Sequence, residues 1–343
     1  MTDGERVKTA ARPEGAEPPA LDRELLLRVH ELMVEARVLE ERLIRMQRQG
    51  EGFFWIGGPG EEAFNTCLGL LVDKGRGLDH DYLHLHYRSS ATMLAMGERS
   101  IDSLRLMHNT ATDPYTAGRN FVGHYSRREW NVCPITSPIE VQYSVAIGTA
   151  MAQRRHGGRG ITVVQGGDAG SAEGDFATCL VWASRPGNEL PMLIVVANNG
   201  WGISTAARTQ HGEAHVSDRG KAFGMRTAVV DGNDPEVSYR AIREAMDYVR
   251  SERRPFVLEA MVSRLYGHSS SSGSNFVEEE VDCVAALEER LDARGWRSRE
   301  ESAALRERLE ARMREENERV LTEPHPPPED IHRWVFADTA GEG

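Results

Sequence analysis

The 343-residue chain contains no run of about 20 apolar residues, so no part of it reads as a membrane-crossing helix. Cysteine is scarce: Cys67, Cys133, Cys179 and Cys283 stand far apart with no CxxC pair. That excludes a disulfide framework or a zinc site and reads as reduced thiols in a cytoplasmic protein. Basic charge is short as well. The 41 Lys and Arg stand against 53 Asp and Glu, a formal charge of −12, without the concentrated basic face that nucleic acid needs. No basic start leads into an apolar core at the N-terminus, so no secretory signal is expected. Neither a GxGxxG after a strand nor a GxxxxGK[ST] occurs, which argues against the common dinucleotide and P-loop grips. No internal repeat is visible.

What is present centres on residues 161–204, ITVVQGGDAGSAEGDFATCLVWASRPGNELPMLIVVANNGWGIS. Residues 161–164 and 192–197 have the length and β-branched content of buried strands. Each ends in polar and glycine residues: Gly166-Gly167-Asp168 after the first, Asn198-Asn199-Gly200 after the second. Phe176, Cys179, Leu180 and Ala183 fall between them at helical spacing, with Glu173 and Asp175 in the first turn where acids suit the helix dipole. Strand, helix and strand make a βαβ unit with parallel strands. Asp168 and Asn199 therefore emerge at one sheet edge, where doubly wound sheets bind ligands. A carboxylate and an amide oxygen converging beside glycine turns suit a hard cation that bridges phosphates. A βα turn whose aspartate caps a helix is the plainer reading of the same residues.

Around this unit, residues 1–20 read as a disordered leader, rich in Ala, Pro, Glu and Gly. A helix is expected from Leu21 to about Gln49 on the stripe Leu25, Val29, Leu32, Met33, Ala36 and Leu39, either core or an arm over a partner. His80, His84 and His86 lack a second ligand group, which disfavours zinc. Tyr87-Arg88 offers a guanidinium fork for phosphate, or else a surface salt bridge. Ser137-Pro138-Ile139-Glu140 spells an N-cap, a first-turn proline and a capping box. Strands are expected over 226–230 and 255–262, with a helix from Pro235 between them. If the last strand is parallel, His268 in the loop after it reaches the edge of Asp168 and Asn199. Residues from about 278 to 321 read as charged amphipathic helix, followed by a proline-rich linker and a tail with Trp334 and Phe336.

Gly167-Asp168, a gap from 170 to 197, then Asn198-Asn199 resembles the thiamine diphosphate-binding motif. From about 25 to 300 the chain is similar to the alpha subunit of the thiamine diphosphate-dependent decarboxylating component of 2-oxo acid dehydrogenase complexes. Gly60-Glu61-Glu62, Ile135-Thr136-Ser137-Pro138-Ile139, Val230-Asp231-Gly232-Asn233-Asp234 and Gly267-His268-Ser269 fit that family, and Ala172-Glu173-Gly174-Asp175 resembles its branched-chain members.

The resemblance implies an α/β fold, a mostly parallel doubly wound sheet with helices on both faces. The thiamine diphosphate-binding domain would span 21–300, with a helix, linker and tail over 301–343. It further implies magnesium held by Asp168, Asn199 and the Trp201 carbonyl. Tyr87, Arg88 and His268 would touch the diphosphate, Gly167, Ala169 and Gly170 would contact it through backbone, and Ser137 and Ile139 would line the aminopyrimidine. His268 would be the catalytic proton donor, since imidazole titrates near neutral pH. A beta subunit in an α2β2 heterotetramer would supply the activating glutamate, and a lipoyl acyltransferase would take the acyl group. The substrate would be a branched-chain 2-oxo acid, or else pyruvate or acetoin.

Several positions depart from the family pattern. Ala169 stands at the motif's second glycine, Ala197 where branched-chain members carry an arginine, Ser89-Ser90 after Tyr87-Arg88, Ser272-Gly273 in the histidine loop, and Val141 at a hydroxyl of a potassium site. If position 169 needs positive φ, alanine there costs about 1 kcal/mol. These departures leave room for a non-catalytic paralogue that serves assembly or regulation. A haloacid-dehalogenase-like phosphatase is excluded: the Asp79-x-Asp81 pair is followed by Tyr82-Leu83.

Overall fold

The computed structural model describes residues 21–333 and Val335. The leader expected over 1–20, and Trp334 and Phe336 of the tail, lie outside the described residues. In chain order the elements are helices α1 (Arg23–Gln49) and α2 (Glu62–Leu71), strand β1 (Tyr82–His84), then helices α3 (Ser90–Ala95), α4 (Ser100–His108) and α5 (Val141–Arg155). Strand β2 (Thr162–Gly167), helix α6 (Gly174–Ala183) and strand β3 (Met192–Asn198) follow. A short pair, β4 (Trp201–Gly202) and β5 (Thr205–Ala206), and helix α7 (Asp218–Lys221) lead to β6 (Arg226–Asp231), α8 (Pro235–Glu252) and β7 (Phe256–Met261). Helices α9 (Cys283–Ala293) and α10 (Arg299–Val320) close the series.

The long strands form one sheet in the order β1-β2-β3-β7-β6, with every neighbouring pair parallel. Successive side chains point to opposite faces, so each strand feeds two cores. Val163, Leu193, Val195 and Leu258 join the core that includes residues of α1, α2 and α8, and Val164, Ile194, Val196 and Val257 join that of α5 and α6. Cover on both faces is why these strands read as unbroken apolar runs rather than alternating ones. The mostly parallel α/β sheet and the βαβ unit expected from sequence are both present.

Helix α1 starts where the Asp22 carboxylate accepts from Leu25 N at 2.8 Å and ends at Gly50, φ +76°. It is core: Leu26, Val29, Met33, Ala36, Leu39 and Leu43 are fully buried. Inside it, the Arg37 guanidinium lies 2.6 Å from Glu62 and 2.8 Å from Asp282, tying α1 to α2 and to the start of α9. Helix α8 opens on Asp234, whose side chain accepts from Glu236 N and Val237 N, with Pro235 at its first turn.

One expectation is refined here and another fails. Residues 278–321 form two helices, because Gly295 turns the chain at φ +63° and Ser298 with Glu301 builds a fresh capping box. Ser137 is no N-cap either. Helix α5 begins at Val141, preceded by Glu140 at φ +62° with no side-chain cap bond. The local spelling of a cap is overridden by where the Glu140 carboxyl goes.

Candidate functional site

Parallel pairing sets β2 and β3 level, with Gly167 opposite Ala197. Asp168 follows the first strand and Asn199 lies just beyond the second, so both stand at the same edge. A cleft of about 240 Å³ opens there, and its wall includes Tyr87, Arg88, Ile139, Gly167, Asp168, Ala169, Gly170, Asn199, Trp201 and His268. Strands β1 and β7 feed the same edge, which brings Tyr87-Arg88 and His268 across from the βαβ unit. Ser137 stands apart. It does not line the cleft, and its Oγ lies 2.7 Å from His124 Nε2.

Asp168 is 1 % exposed, and its Oδ2 is buried without a hydrogen-bond partner. Desolvation pushes its carboxyl up from the usual range, against the pull of backbone N–H groups and of His211. A buried, unpartnered carboxylate oxygen is costly unless something satisfies it. Beside it, Asn199 Oδ1 accepts from Trp201 N at 3.1 Å. Among the described residues no group of three or more His, Cys, Asp or Glu could share a metal ion. The donors that the resemblance implies here are of another kind: one carboxylate, one amide oxygen and a main-chain carbonyl. Such a set suits magnesium, which keeps waters and takes its remaining oxygens from phosphate.

The opposite wall is basic and buried. Arg88, 4 % exposed, donates through Nη1 to the Gly57 carbonyl and through Nη2 to His268 Nδ1 at 3.0 Å. Its Nε faces Glu61 Oε1 at 3.8 Å. A guanidinium can only donate, so His268 Nδ1 presents its lone pair and the ring proton sits on Nε2. Burial first, then Arg88 and Arg264, lowers the His268 pKa to about 4. His268 therefore stays neutral at pH 7 and does not titrate near neutrality as its residue type alone suggests.

Two glutamates reach the cleft that were noted in the sequence only as parts of local motifs. Glu61 is buried and raised to about 7 by desolvation, against the pull of Arg88 and Asn65. Glu140 is raised to about 8 by desolvation, with Asp168, Glu173 and Asp175 pushing the same way. Its Oε1 accepts from Gly167 N at 3.1 Å and Oε2 from Gln142 at 3.3 Å. A Cβ on Gly170 or Gly166 would collide with that carboxyl, so the two glycines are the floor on which Glu140 rests. Ala169 sits in a short 3-10 turn (Ala169–Ala172) and not at positive φ. Alanine in place of the motif's second glycine thus brings no backbone strain.

Residues 30–329 match the dehydrogenase E1 component family. The chain belongs to that family. It is 28% identical to the 2-oxoisovalerate dehydrogenase subunit alpha of Bacillus subtilis over 317 residues, covering 90% of this chain and 94% of that one. It is 27% identical to the human mitochondrial 2-oxoisovalerate dehydrogenase subunit alpha over 332 residues, 94% of this chain and 73% of that one. Against subunit alpha 1 of Arabidopsis thaliana it is 29% identical over 291 residues, and the match spans 60% of that protein's length. The placement of the chain among the 2-oxo acid dehydrogenase alpha subunits, made above from its motifs, is borne out, as is the enzyme class that goes with it.

Proposed function

We propose that this E1 component holds magnesium and thiamine diphosphate in the cleft at the sheet edge. With a beta subunit it would oxidatively decarboxylate a branched-chain 2-oxo acid. The observation that carries the reading is Asp168 Oδ2, buried and unpartnered beside Asn199 and Trp201 where parallel strands end. Asp168, Asn199 and the Trp201 carbonyl would hold the ion. Tyr87, Arg88 and the Nε2–H of His268 would face the diphosphate, with Gly167, Ala169 and Gly170 against it through backbone. Ile139, 47 % exposed at the rim, would lie under the aminopyrimidine, with Ser137 further out. When bound, thiamine diphosphate supplies the electron sink for loss of carbon dioxide and carries the acyl group to a lipoyl arm. The chain's own work is placement. His268, held neutral, offers a fixed donor rather than a mobile proton, and the Arg88 cation stays in place through its contacts with Gly57 and His268.

Exposed Ile139, Trp201 and Ile203 at the mouth support a partner that closes the cleft, which we take to be the beta subunit of an α2β2 heterotetramer. A lipoyl acyltransferase would follow in the complex. The scattered free thiols favour the cytoplasm. The reading is tested by co-expressing the chain with its beta partner and measuring magnesium-dependent thiamine diphosphate binding by calorimetry. Asp168→Ala is expected to abolish binding while the fold survives; binding retained by that variant overturns the metal assignment. No binding by the wild type favours the paralogue without catalysis. Turnover of 3-methyl-2-oxobutanoate against pyruvate assigns the substrate.

A further inference from the structure

The sheet edge opposite the cleft carries a second pocket, and its wall is built of guanidinium groups. Strands β1, β2 and β7 start there, and helices α5 and α8 end there. A pocket of about 530 Å³ opens among them, lined by Arg154, Arg159, Arg250 and Arg253 with the Gly157-Gly158 turn. Four cations in one pocket run against the charge of a chain that is −12 overall.

What holds each guanidinium decides how much of its charge is left. Arg250 is neutralised: both Nη atoms reach the Asp81 carboxylate, at 2.7 and 2.6 Å, and Asp81 is fully buried. Arg159 faces Asp79 at 3.5 Å with both side chains exposed, where solvent leaves an ion pair weak. Arg154 and Arg253 meet neutral partners instead. Arg253 Nη1 donates to the carbonyls of Arg159 and Gly160, each at 3.0 Å, and Nη2 to that of Gly158 at 2.9 Å. Arg154 donates to the carbonyls of Glu189 and Gly187, at 2.8 and 2.6 Å. A carbonyl fixes a guanidinium without cancelling its charge. The ends of α5 and α8 bring about half a negative charge each, which offsets part of the two cations.

The frame under Arg253 is rigid. Gly158 and Gly160 lie so close to the backbone of Leu78 and His80 that a Cβ on either would collide. The carbonyls that receive Arg253 are therefore fixed in place. Arg253 itself sits at φ +53° at the end of α8, a conformation that glycine adopts more easily. Burial, then Arg250, lowers its pKa from the usual arginine value, and Arg154 pushes the same way while Asp81 opposes. These cations are crowded, and an anion between them would relieve the crowding.

We propose that this pocket binds a phosphate-bearing anion, gripped by Arg154 and Arg253 with Arg159 at the rim. Guanidinium forks match phosphoryl oxygens in geometry and stay charged at any working pH. The volume is that of a small-molecule pocket, with room for a body attached to the phosphate. The site lies across the sheet from the cleft and stands independently of the thiamine diphosphate reading.

The experiment titrates the full chain by calorimetry at low salt with a chelator present, using inorganic phosphate and adenosine 5′-monophosphate as probes. The wild type is expected to bind with a Kd of about 1 mM or tighter, weakening as sodium chloride is added. Arg154→Gln combined with Arg159→Gln changes two exposed side chains, and at least a tenfold loss of affinity is expected with the melting temperature little changed. Arg88→Gln, which removes a cation of the cleft, is expected to bind as the wild type does. Tighter binding of the nucleotide assigns the anion to a nucleotide, and equal binding of the two probes assigns it to free phosphate; either result supports the site. Absence of binding by the wild type up to about 10 mM of both probes overturns the proposal. So does binding undiminished in the double variant, or binding lost in Arg88→Gln, which would place the anion in the cleft.

Discussion

Glu140 makes the fold's stability depend on pH in an unusual direction. Most acids in folded proteins are stabilised as anions, so stability grows as pH rises past them. Glu140 is fully buried, and desolvation, with the charges of Asp168, Glu173 and Asp175 adding to it, sets its pKa at about 8 in the fold against an ordinary 4.5. Below pH 4.5 the group is protonated whether the chain is folded or not, and it contributes nothing to the slope. Between 4.5 and 8 the folded state binds more protons than the unfolded one, so unfolding free energy falls as pH rises. Above 8 the loss is complete. At 1.36 kcal/mol per unit the whole span is worth about 5 kcal/mol, an upper figure since water entry on ionisation would relieve part of it. Glu140→Gln removes the ionisation and keeps an oxygen for the Gly167 N–H. Urea unfolding midpoints and slopes measured from pH 5 to 9, with a chelator present so that no cation reaches Asp168, give the comparison. Glu61 shifts in the same direction, so the diagnostic quantity is wild type minus variant. That difference is expected to change by several kcal/mol across the range, in favour of the variant at pH 9. Parallel curves within about 0.5 kcal/mol would refute the argument.

Gly170→Ala forces a methyl into the Glu140 carboxyl and is expected to cost about 1–3 kcal/mol in a urea titration. Combining it with Glu140→Ala is expected to remove the clash term, and strict additivity of the two would count against that contact. Arg37→Ala leaves the carboxylates of Glu62 and Asp282 without their shared cation, and a loss of about 3–5 kcal/mol is expected by thermal or urea unfolding. His268→Ala is expected to lower acyl transfer to lipoamide in the assembled enzyme far more than it lowers the melting temperature; an unchanged rate removes His268 from the chemistry.

The residues that sequence placed well and those it misplaced differ in what fixes them. Asp168 and Asn199 were legible because parallel strands end at a common edge, and strand identity needs only a short apolar run. The run stops at Val164, yet the ladder carries on to Gly167, since Gln165 is buried and bonded to Ser89 and Asn65. Composition marks the apolar part of a strand and not its hydrogen-bonded length. Ser137 to Glu140 satisfies every local rule for a helix start, but those rules assume that the glutamate folds back on its own turn. Here the Glu140 carboxyl spans instead to the backbone of Gly167, some 27 positions along the chain, and the helix begins only at Val141 rather than at Pro138. The same contact explains Gly170. In the motif a glycine suggests positive φ, whereas the structure needs the missing Cβ, because a carboxyl occupies its place. His268 follows the same pattern, with a residue type that predicts titration near 6.5 and a burial, beside Arg88 and Arg264, that prevents it. What decides the chemistry of this cleft is therefore which charged groups from distant segments are buried against each other. Glu61, Glu140, Arg88 and Asp168 come from four separate stretches of chain, and only the sheet edge brings them together.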